Sequence, residues 1–140
     1  MFSQILLPLD FEHQQLYPKV MKAALKLCHP AGKINLLYVN SARIHHAAAP
    51  LLSNELLDKL DAAMKQQLQA FMDKEIPVAQ QGRLWLKRGV VYDTILAQAK
   101  KQQTDLIVMP ASRPGAETYL LGSNSSRVVR HADCAVLVIR

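Results

Sequence analysis

Thr104-Asp105-Leu106-Ile107-Val108-Met109 is followed, across a loop, by Gly122-Ser123-Asn124-Ser125-Ser126, and then by Ala135-Val136-Leu137-Val138-Ile139. The first run turns continuously apolar at Leu106, the pattern of a strand buried on both faces, and the last run repeats it. Between them, Ser123 to His131 reads as a short helix opened by small, hydroxylated residues. A strand, a helix and a second strand in this order make a right-handed crossover between parallel neighbours. That unit sets the fold class, and the rest of the chain can be tested against it.

The alternation continues upstream. Gln4 to Leu9 reads as a buried strand. Tyr17 to Leu27 is a helix with Tyr17, Val20, Ala24 and Leu27 on one face; Pro18 is tolerated only in its first turn. Pro30 and Gly32 close that unit, and Lys33 to Asn40 forms the second strand. Residues 41–53 read as a connection. Asn54 can cap a helix running to about Lys74, whose stripe of Leu57, Leu60, Met64, Leu68 and Phe71 has the spacing of a core-facing side. Pro77 ends it. Gly82 to Arg88 alternates Leu84 and Leu86 with Trp85 and Lys87, as an edge strand does. Tyr92 to Gln102 is the next helix, Thr104 to Met109 the fourth strand, and Pro110 to Leu121 a loop. The expectation is a single α/β domain over residues 1–140. Its five-stranded parallel, doubly wound, Rossmann-like sheet takes the order 3-2-1-4-5. The last strand, Ala135 to Ile139, is then an edge although it reads as interior. Pairing across a twofold axis in a homodimer would resolve this.

Composition bounds the function. Of the 140 residues, 50% are hydrophobic and 20% charged, an ordinary globular balance, with a formal net charge of +6 that favours anionic ligands. The basic residues are dispersed along the chain without interleaved aromatics, which argues against a nucleic-acid platform. No run is long and apolar enough for a membrane span. The short apolar run Ile5 to Leu7 meets Pro8 at once, so no targeting signal is read and a cytoplasmic protein is expected. Cys28 and Cys134 each lie in apolar surroundings, outside any CxxC pair, and read as buried thiols.

In an open parallel sheet, ligands bind beyond the carboxyl ends of the strands. The turn after the first strand, Pro8-Leu9-Asp10, offers a carboxylate that can accept from ribose hydroxyls or simply serve the turn. Gly122-Ser123-Asn124-Ser125-Ser126 opens a helix whose first amides lack internal partners and carry the positive dipole end. Such a terminus holds phosphate without a P-loop lysine, or is merely well capped. Arg113 in the preceding loop can add charge. No GxxxxGK[ST] motif is present. His45 and His46, being adjacent, do not converge on a metal as an i, i+4 pair does. Asp93 and His131 read as helix-terminal charges. No nucleophile triad can be argued from spacing. A phosphoacceptor receiver is disfavoured because the third strand ends in Lys87-Arg88-Gly89 rather than in an acid.

Asp105 to Met109, Leu120-Leu121-Gly122-Ser123-Asn124, and Val128 through Arg140 together resemble the C-terminal signature of universal stress proteins. Ala111-Ser112, Pro114 and Tyr119 to Asn124 are most similar to the small bacterial F/G-like subgroup. Ile5 to Asp10 and Leu36 to Val39 are similar to the family's first two strands. The resemblance covers the whole chain in order. It implies an adenine-nucleotide α-hydrolase-like fold, a homodimer joined through the last strands, and ATP, ADP or AMP with Mg²⁺ in each crevice. On that basis Asp10 meets ribose, Val39 offers backbone atoms to adenine, and Met109 lines the base. Gly122, Ser123, Asn124 and Ser125 hold phosphates, with Pro8, Pro110, Ser112 and Arg113 completing the crevice. Gly89 matches a family glycine near the site. The chain departs from the G-x2-G-x9-G pattern of ATP-binding members. The positions ten and thirteen before Gly122 are Ser112 and Met109, Pro110 follows the strand, and the loop is one residue shorter. The functions implied are a nucleotide-binding regulatory dimer with slow hydrolysis or self-modification at most, a ligand-free interaction dimer, or a nucleotide-dependent adenylating enzyme.

Overall fold

Five parallel strands form one sheet in the order β3-β2-β1-β4-β5, as the crossover pattern requires. The computed structural model describes residues 1–41, 53–111 and 121–140. β1 (Phe2–Leu9) is central, between β2 (Cys28–Asn40) and β4 (Leu106–Pro110); β3 (Gln81–Arg88) and β5 (Ala135–Ile139) are the edges. Side-chain alternation sends Ile5, Leu7, Leu9, Ile34, Leu36, Leu106 and Val108 to one face. There α1 (Tyr17–Leu27) and α2 (Asn54–Glu75) cover them. Leu6, Leu37, Ile107 and Met109 point to the other face, against α3 (Val91–Lys101) and α4 (Ser123–His131). Burial on both faces is why β1 and β4 read as unbroken apolar runs.

α1, α4 and β5 have the expected bounds. Other boundaries differ for local reasons. Ser53, not Asn54, caps α2: it is extended, and its Oγ accepts from the Leu56 N–H at 3.1 Å. β2 starts at Cys28, so Pro30 and Gly32 lie within the strand instead of closing a unit before it. The register makes room for them, since Phe2 pairs with Cys28 but Gln4 already pairs with Lys33. The surplus residues bow out, and a Cβ on Gly32 would come within 2.9 Å of both Cys28 Sγ and the Phe2 carbonyl. Pro110 ends β4, paired with Ile139, instead of opening the loop. The α2 stripe is only partly core. Leu68 and Met72 are buried, and Met64 and Phe71 pack partly, whereas Leu60 is 54% exposed. The first half of α2 therefore stands off the sheet.

Two side chains lock the sheet's register. The Asp105 carboxylate accepts from the Ser3 and Gln4 backbone N–H groups at 2.7 and 2.9 Å, joining the start of β4 to that of β1. Asn35, buried in β2, donates from Nδ2 to the Ile5 carbonyl at 3.2 Å, and its Oδ1 accepts from the Arg83 N–H at 2.8 Å. The β2–β3 register shifts there, and Gly82 gives Asn35 its space: a Cβ on Gly82 would lie 2.3 Å from Asn35 Oδ1. Replacing Asn35→Leu strands a buried donor and a buried acceptor. Urea unfolding should show a loss of about 2–4 kcal/mol, with the sheet order retained.

Candidate functional site

The carboxyl ends of β1, β2 and β4 converge because the three strands are adjacent and in register. Pro8 is level with Leu37, and Leu9 with Tyr38. β1 pairs with β4 at Ile5–Leu106 and Leu6–Ile107, and both strands run on in parallel, β1 through Pro8 and Leu9 and β4 through Met109 and Pro110. Val39 and Met109 both pack on the α3/α4 face. Asp10 follows directly where β1 ends and is half-buried. Pro8, Asp10, Val39, Met109 and Pro110 thus share one end of the sheet. Ser112 and Arg113 lie outside the described residues, as do Pro114, Gly115, Tyr119, Leu120 and the paired histidines.

α4 is brought to the same end through Ala111. The Ala111 N–H donates to the Ile139 carbonyl at 2.8 Å, which holds the end of β4 against β5. The Ala111 carbonyl accepts from the Gly122 N–H at 2.6 Å and from Ser125 Oγ at 2.5 Å. Gly122 is the N-cap and supplies no side chain to the first turn. The N–H groups of Ser123, Asn124 and Ser125 have no intrahelical acceptor by position, and they carry the positive end of the helix dipole. Ser123 is exposed and Asn124 half-buried, whereas Ser125 is only 3% exposed. The Ser125 hydroxyl proton is committed to Ala111, so what Ser125 offers a ligand is its backbone amide. Sequence reasoning overlooked Ala111 and this use of Ser125. The signal available was helical spacing, since Ser125 lies three residues before the buried Val128.

The surroundings were also only partly legible. Arg127 stacks over the Tyr92 ring, 4.6 Å from guanidinium carbon to centroid, tying α4 to α3. Gly89, after β3, donates to the Asn40 carbonyl at 3.3 Å and has φ 154°; a Cβ there would meet Thr94 Oγ1 at 2.7 Å. Arg88 pairs with Asp61, and at 3.8 Å with Asp58, fastening α2 to the same end of the sheet. Tyr17, in the first turn of α1, has its phenol pushed above the usual phenolic range, mainly by burial and further by the charge of Asp10. Burial also raises both free thiols, Cys28 and Cys134. Both lie at the amino ends of their strands, away from the crevice.

The donor set fits an anion at α4 and a hydroxylated group at Asp10. Among the described residues no three His, Cys, Asp or Glu side chains are grouped to hold a metal ion. No helix among the described residues is long and apolar enough to cross a membrane.

A sequence profile of the universal stress protein family matches residues 1–140. Universal stress protein G of Shigella flexneri is 30% identical over 144 residues, spanning all of both chains. The solved structure of universal stress protein UspA from Lactobacillus plantarum superposes with a TM-score of 0.73 at 31% identity, covering 99% of this chain and 97% of that one. The crystal structure of a universal stress protein in complex with cAMP shares the fold at a TM-score of 0.59 and 17% identity, covering 99% and 97%.

The two serines should separate in a stability measurement on ligand-free protein. Ser125→Ala leaves the Ala111 carbonyl short of a donor and should cost about 1–2 kcal/mol in urea unfolding. Ser123→Ala, on an exposed side chain, should stay within about 0.5 kcal/mol of the parent. Tyr17 makes a prediction of sign. Its folded-state pKa lies above the unfolded value of 10.0, so the folded chain keeps a proton that the unfolded chain releases. The stability tied to that proton is complete below the ordinary phenol range and is lost as pH rises through and beyond it. Tyr17→Phe should flatten the alkaline fall in unfolding free energy measured from pH 8 to 11.

Proposed function

The chain belongs to the universal stress protein family, and from that premise we propose that it is a cytoplasmic, adenine-nucleotide-binding regulatory homodimer acting in stress response. The supporting observation is the Ala111 junction, which holds the amides at the start of α4 at the same end of the sheet as Asp10. An anionic group and a sugar hydroxyl can then be engaged by one ligand. The cAMP complex of a fold neighbour supports the choice of an adenine nucleotide.

In this reading Asp10 accepts from ribose hydroxyls, Val39 offers backbone atoms to the base, and Pro8, Met109 and Pro110 line it. The amides of Ser123, Asn124 and Ser125, with the side chains of Ser123 and Asn124, hold phosphates; Gly122, its own N–H given to Ala111, lets the backbone come close, and Ser112 and Arg113 complete that end. Mg²⁺ travels on the phosphates. Hydrolysis or self-modification is slow at most. The copies join edge to edge through Ala135–Ile139, whose side chains pack only partly within one protomer.

A second reading, a ligand-free interaction dimer, is favoured by one observation. β4 runs into Pro110, which has no N–H to give, and the Ser125 hydroxyl is turned inward. Calorimetry separates the two. Nucleotide-stripped protein titrated with Mg-ATP should show one site per protomer, weakened about tenfold by Asp10→Ala and by Ser123→Ala/Asn124→Ala. Absence of heat and of thermal stabilisation at millimolar ATP would leave the interaction dimer as the function. Sedimentation at micromolar concentration should give a species of twice 15.7 kDa; a monomer would remove the dimer from both readings.

A further inference from the structure

Among the described residues two buried side-chain oxygens close no hydrogen bond: Thr104 Oγ1, just before β4, and the Tyr17 hydroxyl, near the carboxyl end of β1. Tyr17 is 8% exposed, and its ring packs edge-on against Phe71, with centroids 5.7 Å apart and planes at 68°. That contact accounts for the ring and fixes its orientation. It does not account for the oxygen, which closes no hydrogen bond among the described residues. A buried donor without an acceptor is unfavourable, and native structures rarely keep one without a use. Phenylalanine would fill the same space without the penalty.

The position of the oxygen suggests its use. A 3-10 turn, Phe11–Leu16, returns the chain after Asp10 so that α1 begins with Tyr17. The phenol lies near enough to feel the Asp10 carboxylate, with Tyr38 at the end of β2 also close. Asp10 stands at the carboxyl end of β1, and a carboxylate is acceptor-only with room for several donors. We propose that Tyr17 is a positioning residue for ribose: its phenolic O–H donates to the Asp10 carboxylate as the sugar hydroxyls engage it, and so favours ribonucleotides over ligands lacking those hydroxyls. This rests on the nucleotide reading above. The hydroxyl's unmet bond in the free protein is closed in the complex, so its contribution appears in binding rather than in folding.

The test uses the full chain and Tyr17→Phe, which keeps the ring and its contact with Phe71. Each is titrated calorimetrically with Mg-ATP and with Mg-2′,3′-dideoxy-ATP, and the thermal midpoint is measured without ligand. Tyr17→Phe should bind ATP about tenfold more weakly, the scale of one hydrogen bond to a charged group. It should bind dideoxy-ATP as the parent does, with a thermal midpoint equal to the parent's or higher. Equal ATP affinity in both proteins overturns the proposal and leaves the hydroxyl a structural orphan. Equal weakening for both nucleotides overturns it too, because the loss then lies outside the sugar. A parent protein that binds neither nucleotide fails the nucleotide reading itself, and the ribose role falls with it.

Discussion

One residue's backbone holds the candidate site together. Ala111 gives its N–H to the end of β5, and its carbonyl takes the Gly122 N–H and the Ser125 hydroxyl. The chain departs from the sheet there and comes back to the same residue to begin α4. Two bonds to one carbonyl, one from the N-cap and one from the third helical residue, fix both the position and the tilt of the helix start. Ala111 itself is 2% exposed, so these bonds are shielded from competing water. The geometry of the first-turn amides follows from that anchor.

The two ends of the sheet are built on different terms. At the amino end, most polar groups are consumed internally: Asp105 is satisfied by Ser3 and Gln4, Asn35 by Ile5 and Arg83, and Gly32 is closed in by Cys28 and Phe2, with the buried Thr104 hydroxyl the exception. At the carboxyl end, β4 finishes on a proline, the first-turn amides of α4 lack intrahelical partners, and a buried phenol lacks an acceptor. Satisfaction at one end gives the rigidity against which the other end can remain chemically available.

Sequence reading succeeded where a single local signal decided the outcome. Unbroken apolar runs marked β4 and β5 as strands, β4 covered on both faces and β5 at an edge and only partly buried, and Pro18 and the serine run marked where α1 and α4 begin. It failed where two residues compete for one role or where the third dimension decides. Ser53 and Asn54 are both good caps, and only the extended backbone of Ser53 separates them. Pro30 and Gly32 look like breakers, but a register shift accommodates them within β2. The α2 stripe identified a face correctly without showing how far the sheet extends beneath it, so Leu60 was taken as core and is exposed. In the serine run, composition shows several hydroxyls and cannot tell which turns inward. The Pro8-Leu9-Asp10 turn was legible as the carboxyl end of β1. The approach of Tyr17 to Asp10 was not, because an aromatic at the start of an amphipathic helix registers only as apolar surface.

Strand order has a consequence for synthesis on the ribosome. β1 is made first and lies at the centre, with β2 on one side and β4 on the other. β2 and β3 can join it early. Its remaining edge, with the bonds from Ser3 and Gln4 to Asp105, waits for residues made more than 100 positions later. Throughout most of translation the nascent chain therefore presents an uncovered apolar strand edge, Ile5 to Leu7, close to its own N-terminus. The last quarter of the chain, from Asp105 onward, acts as the closing piece. A ribosome that stalls before β4 emerges leaves a half-sheet prone to pair with a neighbour's, so this architecture favours uninterrupted elongation through its final crossover.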